Sequence, residues 1–455
     1  MSSIVVVGSG AAGLAAAVGA AEAGGDVLVL DRAPRKSRGG NSFYTEAYFR
    51  LASENDLAPG FREDFVRLSE GLCDMALVET LTANAIPTIH WVRDLGVRFD
   101  PTLPTTWLVS GLPRLLPSGG GAAILDVLEA RARDLGVEFA YERAAHGLKV
   151  VNGKVTGIEV VDPTGRPESY DASSVILACG GFEGNPDMER EHLPGPLEGL
   201  RPFAPGARYN QGEGIEMALR IGAKPAGEYG NFHASVVDPR SDLANPGVKC
   251  FSYGVVLNRK GERFADEGEK SPELESEELA RAIWLQPGAV AYAIVDGSFF
   301  GLPRWQRAMR TDQPGISADS LDELVEKLPF EDRGRAMRTL RDFNEAARPG
   351  GIRGSDMDGV AAMANGVRKS NWAYRLESRP FVAYPAACGI VFTFGGVAAT
   401  SEGQVLNVEN SPVPGLFAVG ETAGLYYKHY VGATSVMRGL VFGRIAGGVA
   451  AKKSA

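Results

Sequence analysis

The segment SIVVVGSGAAGLAAAVGAAEAGGDVLVLD, residues 3–31, limits the fold more than any other. Ile4 to Val7 form a continuous apolar run, as a parallel strand covered on both faces requires. Gly8, Gly10 and Gly13 follow with GxGxxG spacing, then an Ala-rich helix, then a second apolar strand ending on Asp31. The first glycine permits a tight turn, the second lets a pyrophosphate approach the backbone, and the third lets helix pack on strand. The helix N-terminus, with Ala12 on its first turn, then faces the phosphates. Asp31, with Arg32 beside it, is placed to take a ribose hydroxyl. Strand, turn, helix, strand and terminal acid together predict a dinucleotide site. The plainer alternative is a helix–strand turn that uses glycine for packing alone.

The remaining chain supports an α/β fold. Residues 62–96 and 121–135 read as helices, and from 137 to 179 short strands alternate with the turn signals VNGKV and DPTGR. This pattern predicts a β-meander inserted in a doubly wound parallel sheet. SSVILACGGFEGNP returns as a strand ending at Gly180–Gly181, with Ala178 just before, and NQGEGIEMALRIGA as a loop followed by a helix. From about 228 to 390 short strands mix with two charged helices (321–328 and 332–347) and Pro/Gly-rich connections. The chain then restores its first pattern with GQVLNV, GLFAVGETAG and a final helix from about 434. The expected architecture is a Rossmann-like cofactor domain, residues 1–228 and 391–455, interrupted by an α+β capping domain, residues 229–390. A second Gly-acid element, AVGETAG, implies a long cofactor held at both ends.

Composition removes several function classes. A net charge of −9 argues against nucleic acid or an anionic membrane as main partner. No apolar run reaches transmembrane length, and the start MSSIVVVG leads straight into a strand without a signal peptide, so a cytoplasmic location is expected. Cys73, Cys179, Cys250 and Cys388 are scattered without CxxC or CxxCH, which speaks against a disulfide frame, a zinc site or a c-type haem.

Eight motifs, in order, give the chain a family likeness: GSGAAG at 8–13, RGGNS at 38–42, ILACGGF at 176–182, NQGEG at 210–214, NRKGERFADEGE at 258–269, QPGAVAYAIVD at 286–296, GLFAVGET at 415–422 and VFGRIAG at 441–447. Over nearly its whole length the chain resembles the flavoprotein subunits of the fumarate reductase/succinate dehydrogenase superfamily, nearest the tricarballylate dehydrogenase branch. The resemblance implies FAD, a cap over the isoalloxazine ring, and hydride transfer between flavin N5 and one carbon of a C–C bond. Gly39, Gly40, Asn41 and Ser42 follow the cationic run Arg35, Lys36, Arg38 and suit close contact with a phosphate or flavin edge. Gly180 and Gly181 suit backbone approach to the cofactor; Glu213 with Gly214, and Glu421, suit its hydroxyl or amide groups. Some relatives bond a His of the flavin loop covalently to the ring. No His occurs between positions 1 and 89, so FAD is expected to be noncovalent.

The family's substrate residues map unevenly. The first His falls on His233, a match, while the second falls on Phe392, with Thr393 retained. The proton-transfer Arg falls on Ser271, with Lys270 adjacent and Arg281 ten residues on; the second Arg falls on Tyr430. A plain fumarate reductase is therefore not expected. Tyr430 followed by Val431-Gly432-Ala433-Thr434 also resembles the 3-ketosteroid dehydrogenases, in which such a Tyr and a nearby N–H polarise a ketone. If residues 428–430 are extended, Lys428 shares a side with Tyr430 and favours its phenolate, while His429 faces away. The helix starting near Thr434, with Ser435 and Val436, would then offer free N–H groups to the flavin's pyrimidine edge. Tyr426 and Tyr427 read as packing aromatics, and Tyr44, Tyr48 and Arg50 as further lining. Two activities follow: desaturation of a C–C bond beside a carboxylate or ketone of a small substrate, or reduction of an activated alkene. A carboxylate substrate would draw on Lys270 or Arg281. Without haem or iron–sulfur motifs, electrons pass to a separate acceptor: oxygen, a quinone or a redox protein.

Overall fold

Ile4–Val7 (β1) is fully buried and pairs in parallel with Val27–Asp31 (β2) on one side and Ser174–Leu177 on the other. The structure, a computed structural model, describes residues 4–100 and 113–454. Around β1 a six-stranded sheet runs in the order Gln404–Leu406, Pro412–Ala418, Ser174–Leu177, β1, β2, Glu138–Tyr141; only its outermost pair, Gln404–Leu406 with Pro412–Ala418, is antiparallel. The helix Ala11–Glu22 (α1) covers this sheet, and the meander Ala144–Val151, Lys154–Val161, Pro167–Asp171 forms the three-stranded antiparallel sheet expected.

Helices α2 (Gly40–Tyr44), α3 (Phe61–Leu68), α4 (Met75–Asp94), α5 (Gly120–Asp134), α6 (Pro186–His192) and α7 (Glu213–Arg220) complete the first part. Two expectations change here. Gly40–Tyr44, read as part of the flavin loop, form a short helix. The helix expected over 62–96 is two helices, because Glu70 and Gly71 both take left-handed φ (53° and 78°) and Asp74 restarts the chain by accepting a hydrogen bond from Ala76 N.

The second sheet is built on the long strand Phe381–Thr393, flanked by Leu200–Pro202 and Val290–Val295, with Val255–Asn258 outside the latter; Phe232–Val237 and Ile316–Ala318 also pair with it. Helices α8 (Pro272–Trp284), α9 (Leu321–Lys327) and α10 (Arg333–Ala346) accompany it. Leu200–Pro202 comes from well before the junction expected at 228, and Phe381–Thr393 runs past the one at 390, so the second sheet draws on chain from outside both expected junctions. The last helix, α11 (Ser435–Ser454), returns against α1. Close approach explains its small residues: a Cβ on Gly443 would sit 2.3 Å from the Ala12 carbonyl oxygen. No described helix is long and apolar enough to cross a membrane.

Candidate active site

The C-terminal ends of β1 and β2, the α1 N-terminus and the start of α11 enclose a cleft. Gly8, Gly10, Ala12, Asp31, Arg32, Gly39, Gly40, Asn41, Ser42, Ala178, Gly180, Glu213, Glu421, Ser435 and Val436 all line it. Gly13, Gly181 and Gly214 do not; they act through packing. A Cβ on Gly13 would lie 1.9 Å from the Gly8 carbonyl oxygen, one on Gly181 2.1 Å from both Glu421 and Thr393 side-chain oxygens, and one on Gly214 2.7 Å from Cys179 Sγ. At Gly10 the nearest atom is Ser42 Oγ at 3.5 Å, so only there does the turn leave open space. Asp31 is tied to the turn itself: it accepts from Ser9 N at 2.9 Å, from Ala33 N at 2.8 Å and from the Ser9 hydroxyl. Its burial raises its proton affinity against these hydrogen bonds. Arg32 pairs with Glu213 at the same end of the cleft.

A second group gathers behind Phe392, which also lines the cleft. His233 on Phe232–Val237 lies with its ring centroid 4.4 Å from Tyr430 and 5.4 Å from Phe392. His233 Nδ1 is 2.5 Å from Glu277 Oε2 on α8, and Arg281, one turn on, donates to Glu277 Oε1 at 2.8 Å and to the Phe232 carbonyl. Burial pushes the Glu277 carboxyl up, but His233, Arg281 and His429 outweigh it and leave it below the ordinary value. With that carboxylate as acceptor, His233 carries its proton on Nδ1 and leaves Nε2 uncommitted.

The Tyr430 hydroxyl accepts from Thr434 N and Ser435 N, both at 3.0 Å, and donates to Ser435 Oγ at 3.1 Å. The N–H groups expected to serve the flavin at the start of α11 are thus taken by Tyr430, and Val436 is the next residue facing the cleft. The extended stretch expected at 428–430 is absent: Lys428 has φ 56°, and His429 N donates to Tyr427 O at 2.6 Å. Lys428 turns to Glu228, 3.5 Å away, and a cation within electrostatic reach of Tyr430 is Arg50, buried against Asp64.

Two more expectations shift, and one holds. Thr393 is fully buried and supports Glu421, donating to it from N at 2.7 Å and from Oγ1 at 3.0 Å. Lys270 pairs with Glu278 at 2.5 Å, and no hydrogen bond or ion pair among the described residues ties it to His233 or Tyr430. Tyr426 packs, as read, 1% exposed with its hydroxyl 2.7 Å from Thr434 Oγ1. Sequence reasoning missed Glu277 and Glu183. The signal for Glu277 was its i, i+4 spacing to Arg281 on a helix; for Glu183 it was an acid two residues beyond Gly180–Gly181.

A doubly wound sheet, a Gly-rich turn aimed into a cleft, and a second sheet carrying acid–base groups beside it define a capped dinucleotide-binding flavoprotein. Residues 3–435 match the family described as FAD binding domain, and the chain belongs to that family, within the fumarate reductase/succinate dehydrogenase flavoprotein superfamily. It is 26% identical to an NADH:fumarate oxidoreductase of Klebsiella pneumoniae (strain 342), over 99% of this chain and 48% of that protein, so it spans about half that relative's length. It is 27% identical to a vinyl phenol reductase of Lactiplantibacillus plantarum, over 93% of this chain and 90% of the other. The open conformation of a flavocytochrome c3 fumarate reductase shares the fold, with TM-score 0.80 and 24% identity over 100% of this chain and 78% of that one.

The residues present fit FAD. The α1 N-cap, Gly10, brings no side chain to its helix, leaving the first amide N–H groups for phosphate. At the other end Asn41 Oδ1 and Arg438 Nε are buried in the cleft wall without a hydrogen-bond partner, as groups awaiting a polar ring edge would be.

Proposed function

We propose that this protein exchanges a hydride and a proton across a C–C bond next to a single carbonyl group, with desaturation of a ketone as the forward direction. Bound FAD supplies the hydride acceptor. Tyr430 donates to the carbonyl oxygen by turning its one proton from Ser435 Oγ to the substrate: two backbone N–H groups already donate to its hydroxyl, which strengthens the O–H as a donor. His233, held by Glu277, takes the proton from the carbon next to the carbonyl through Nε2, the arrangement of a base oriented by an acid. The observation that carries this reading is the 4.4 Å approach of the His233 and Tyr430 rings, each already tied on its far side.

A single neutral carbonyl suits the charges. Arg281, Arg50, Lys428 and Lys270 each have an acid partner in Glu277, Asp64, Glu228 and Glu278. A dicarboxylate would have to displace two of these, and taking Arg281 from Glu277, the most buried of the four acids, leaves a buried charge unpaired at a cost of about 3–5 kcal/mol. The wall beside Tyr430 is aromatic, with Phe392 and Tyr426 edge-on to its ring at 5.0 and 5.2 Å. Noncovalent FAD and a separate electron acceptor complete the reading. Alkene reduction uses the same residues in reverse and is favoured by the two relatives, both named for reductive or reversible chemistry.

Anaerobic mixing with saturated cyclic ketones, succinate and tricarballylate tests this. Ketones should bleach the flavin, and α-deuterium from the substrate should wash into solvent, washout being lost in His233→Ala. Bleaching by succinate or tricarballylate alone would overturn the proposal.

A further inference from the structure

Beneath the cofactor cleft lies a pair of carboxyl groups that the steps above do not use. Glu183, in the loop after Ser174–Leu177, is 1% exposed. Its Oε1 accepts from Asn41 Nδ2 at 2.8 Å and from Asn210 Nδ2 at 2.5 Å, while Oε2 is buried with no donor. Its carboxyl meets that of Glu421, which lines the cleft beside Asn41 and Arg438. Thr393 gives Glu421 two hydrogen bonds, at 2.7 and 3.0 Å.

An ionised carboxyl only accepts hydrogen bonds. Two of them in contact therefore repel unless a proton lies between them, the arrangement in which like charges cannot both form. Burial pushes both groups up, and the Glu421 charge pushes Glu183 further. The surroundings do little to reverse this. Asn41, Asn210 and Thr393 are neutral, Tyr426 faces Glu421 as a buried phenol, and the facing cation is Arg438 on α11. Arg438 is shared: it donates to Ala423 O at 3.3 Å and lies 4.3 Å over the Tyr426 ring.

We propose that Glu183 and Glu421 hold one proton between them at neutral pH and take up a second when the flavin in the cleft gains two electrons. The step balances as two electrons to the flavin, from substrate hydride in turnover or from dithionite in a titration. One solvent proton goes to the carboxyl pair, beyond any the flavin binds itself. Negative charge arriving at a wall of low dielectric raises the proton affinity of the nearest acid, and Glu421 is the acid on that wall. This needs FAD binding but no particular substrate, so it stands or falls apart from the ketone reading.

Two measurements test it. In the apoprotein at neutral pH, infrared difference spectra between wild type and each of Glu183→Gln and Glu421→Gln should show a protonated-carboxyl carbonyl band, shifted in heavy water and lost in both variants. This arm needs no flavin, so it decides even for a variant that no longer binds FAD. In the holoenzyme, the flavin midpoint potential should fall more steeply with pH in wild type than in Glu183→Gln. In that variant the amide donates to Glu421 and keeps it ionised. The expected difference is one proton per two electrons, a tenfold change in equilibrium constant per pH unit, or about 30 mV. Absence of the band in wild type, or equal slopes in wild type and Glu183→Gln, would overturn the proposal.

Discussion

The cofactor cleft and the acid–base group meet at Phe392, yet they are made differently. The cleft's phosphate end is backbone, set by three glycines within six residues and a helix start. The acid–base group is side chains on four separate pieces of chain: His233 on a strand, Glu277 and Arg281 on α8, Phe392 at a strand end, and Tyr430 before α11. A site made of backbone is a local property of sequence, and its failure is a failure to bind. A site made of converging side chains is a property of the tertiary fold, and its failure is a failure to turn over.

The largest effects should come from the glycines, and they should split. Gly13→Val puts a side chain where α1 meets the Gly8 carbonyl at 1.9 Å, so the helix cannot seat on the sheet and soluble protein should be lost. In Gly10→Val the added Cβ meets nothing nearer than 3.5 Å in the protein itself, so the chain should fold and stay colourless. Thermal melts with flavin absorbance per chain separate the two. Full FAD occupancy in Gly10→Val would mean that the phosphates do not pass this turn.

Next come the side chains of the acid–base group. Tyr430→Phe keeps the ring packing and removes the hydroxyl, and loss of such a donor slows turnover by about 10²–10³. FAD content should stay at wild-type level, with stability lower by about 1 kcal/mol for the lost helix-start hydrogen bonds. The measurement is the single-turnover rate of flavin reduction. A large fall in FAD content instead would show that the two regions are one. Glu277→Gln should slow the same step about tenfold or more, by unfixing the His233 proton. Lys270→Met, whose partner Glu278 is itself partly exposed, should leave both KM and rate near wild type. A raised KM in Lys270→Met would restore the carboxylate substrate that sequence alone had allowed.

What was legible follows the same division. Gly8, Gly10 and Asp31 were readable because turn, strand and helix propensities act over a few residues. The meander and the buried strand at 174–177 were readable for the same reason. Glu277 was hidden because its i, i+4 spacing to Arg281 marks no more than an ion pair along a helix; its role comes from a strand pairing, Phe232–Val237 on Phe381–Thr393, that brings His233 over α8. Lys428 misled because alternation along a strand was assumed where a left-handed residue breaks it. Thr393 misled because a motif position says where a residue stands and leaves open which way its side chain turns.

An effect confined to stability and to alkaline pH tests whether the two regions are separate in stability as well as chemistry. Glu189 on α6 falls in the segment expected to form the cofactor domain, and Glu275 on α8 in the one expected to form the cap. Burial pushes each carboxyl up to about 7. For Glu189 burial is the cause; for Glu275 burial leads, and a hydrogen bond from Lys270 N at 3.0 Å opposes it. A carboxyl that binds its proton more tightly folded than unfolded stabilises the fold fully below its ordinary value near 4.5. That contribution is lost as pH rises through about 7. At about pH 8 both groups therefore burden the native state, each by about 1–3 kcal/mol. Glu189→Gln removes the burden and should raise Tm there, with little change near pH 5. Glu275→Gln should gain less, because the amide replaces a charge-assisted hydrogen bond with a neutral one. If the two sides unfold independently, melts at about pH 8 should show Glu189→Gln raising one transition and Glu275→Gln the other. A single transition raised by both would show that the strand shared between the sheets, Phe381–Thr393, makes them one cooperative unit. A Glu189→Gln melt that tracks wild type at every pH would mean that Glu189 ionises without cost and is hydrated in the native state.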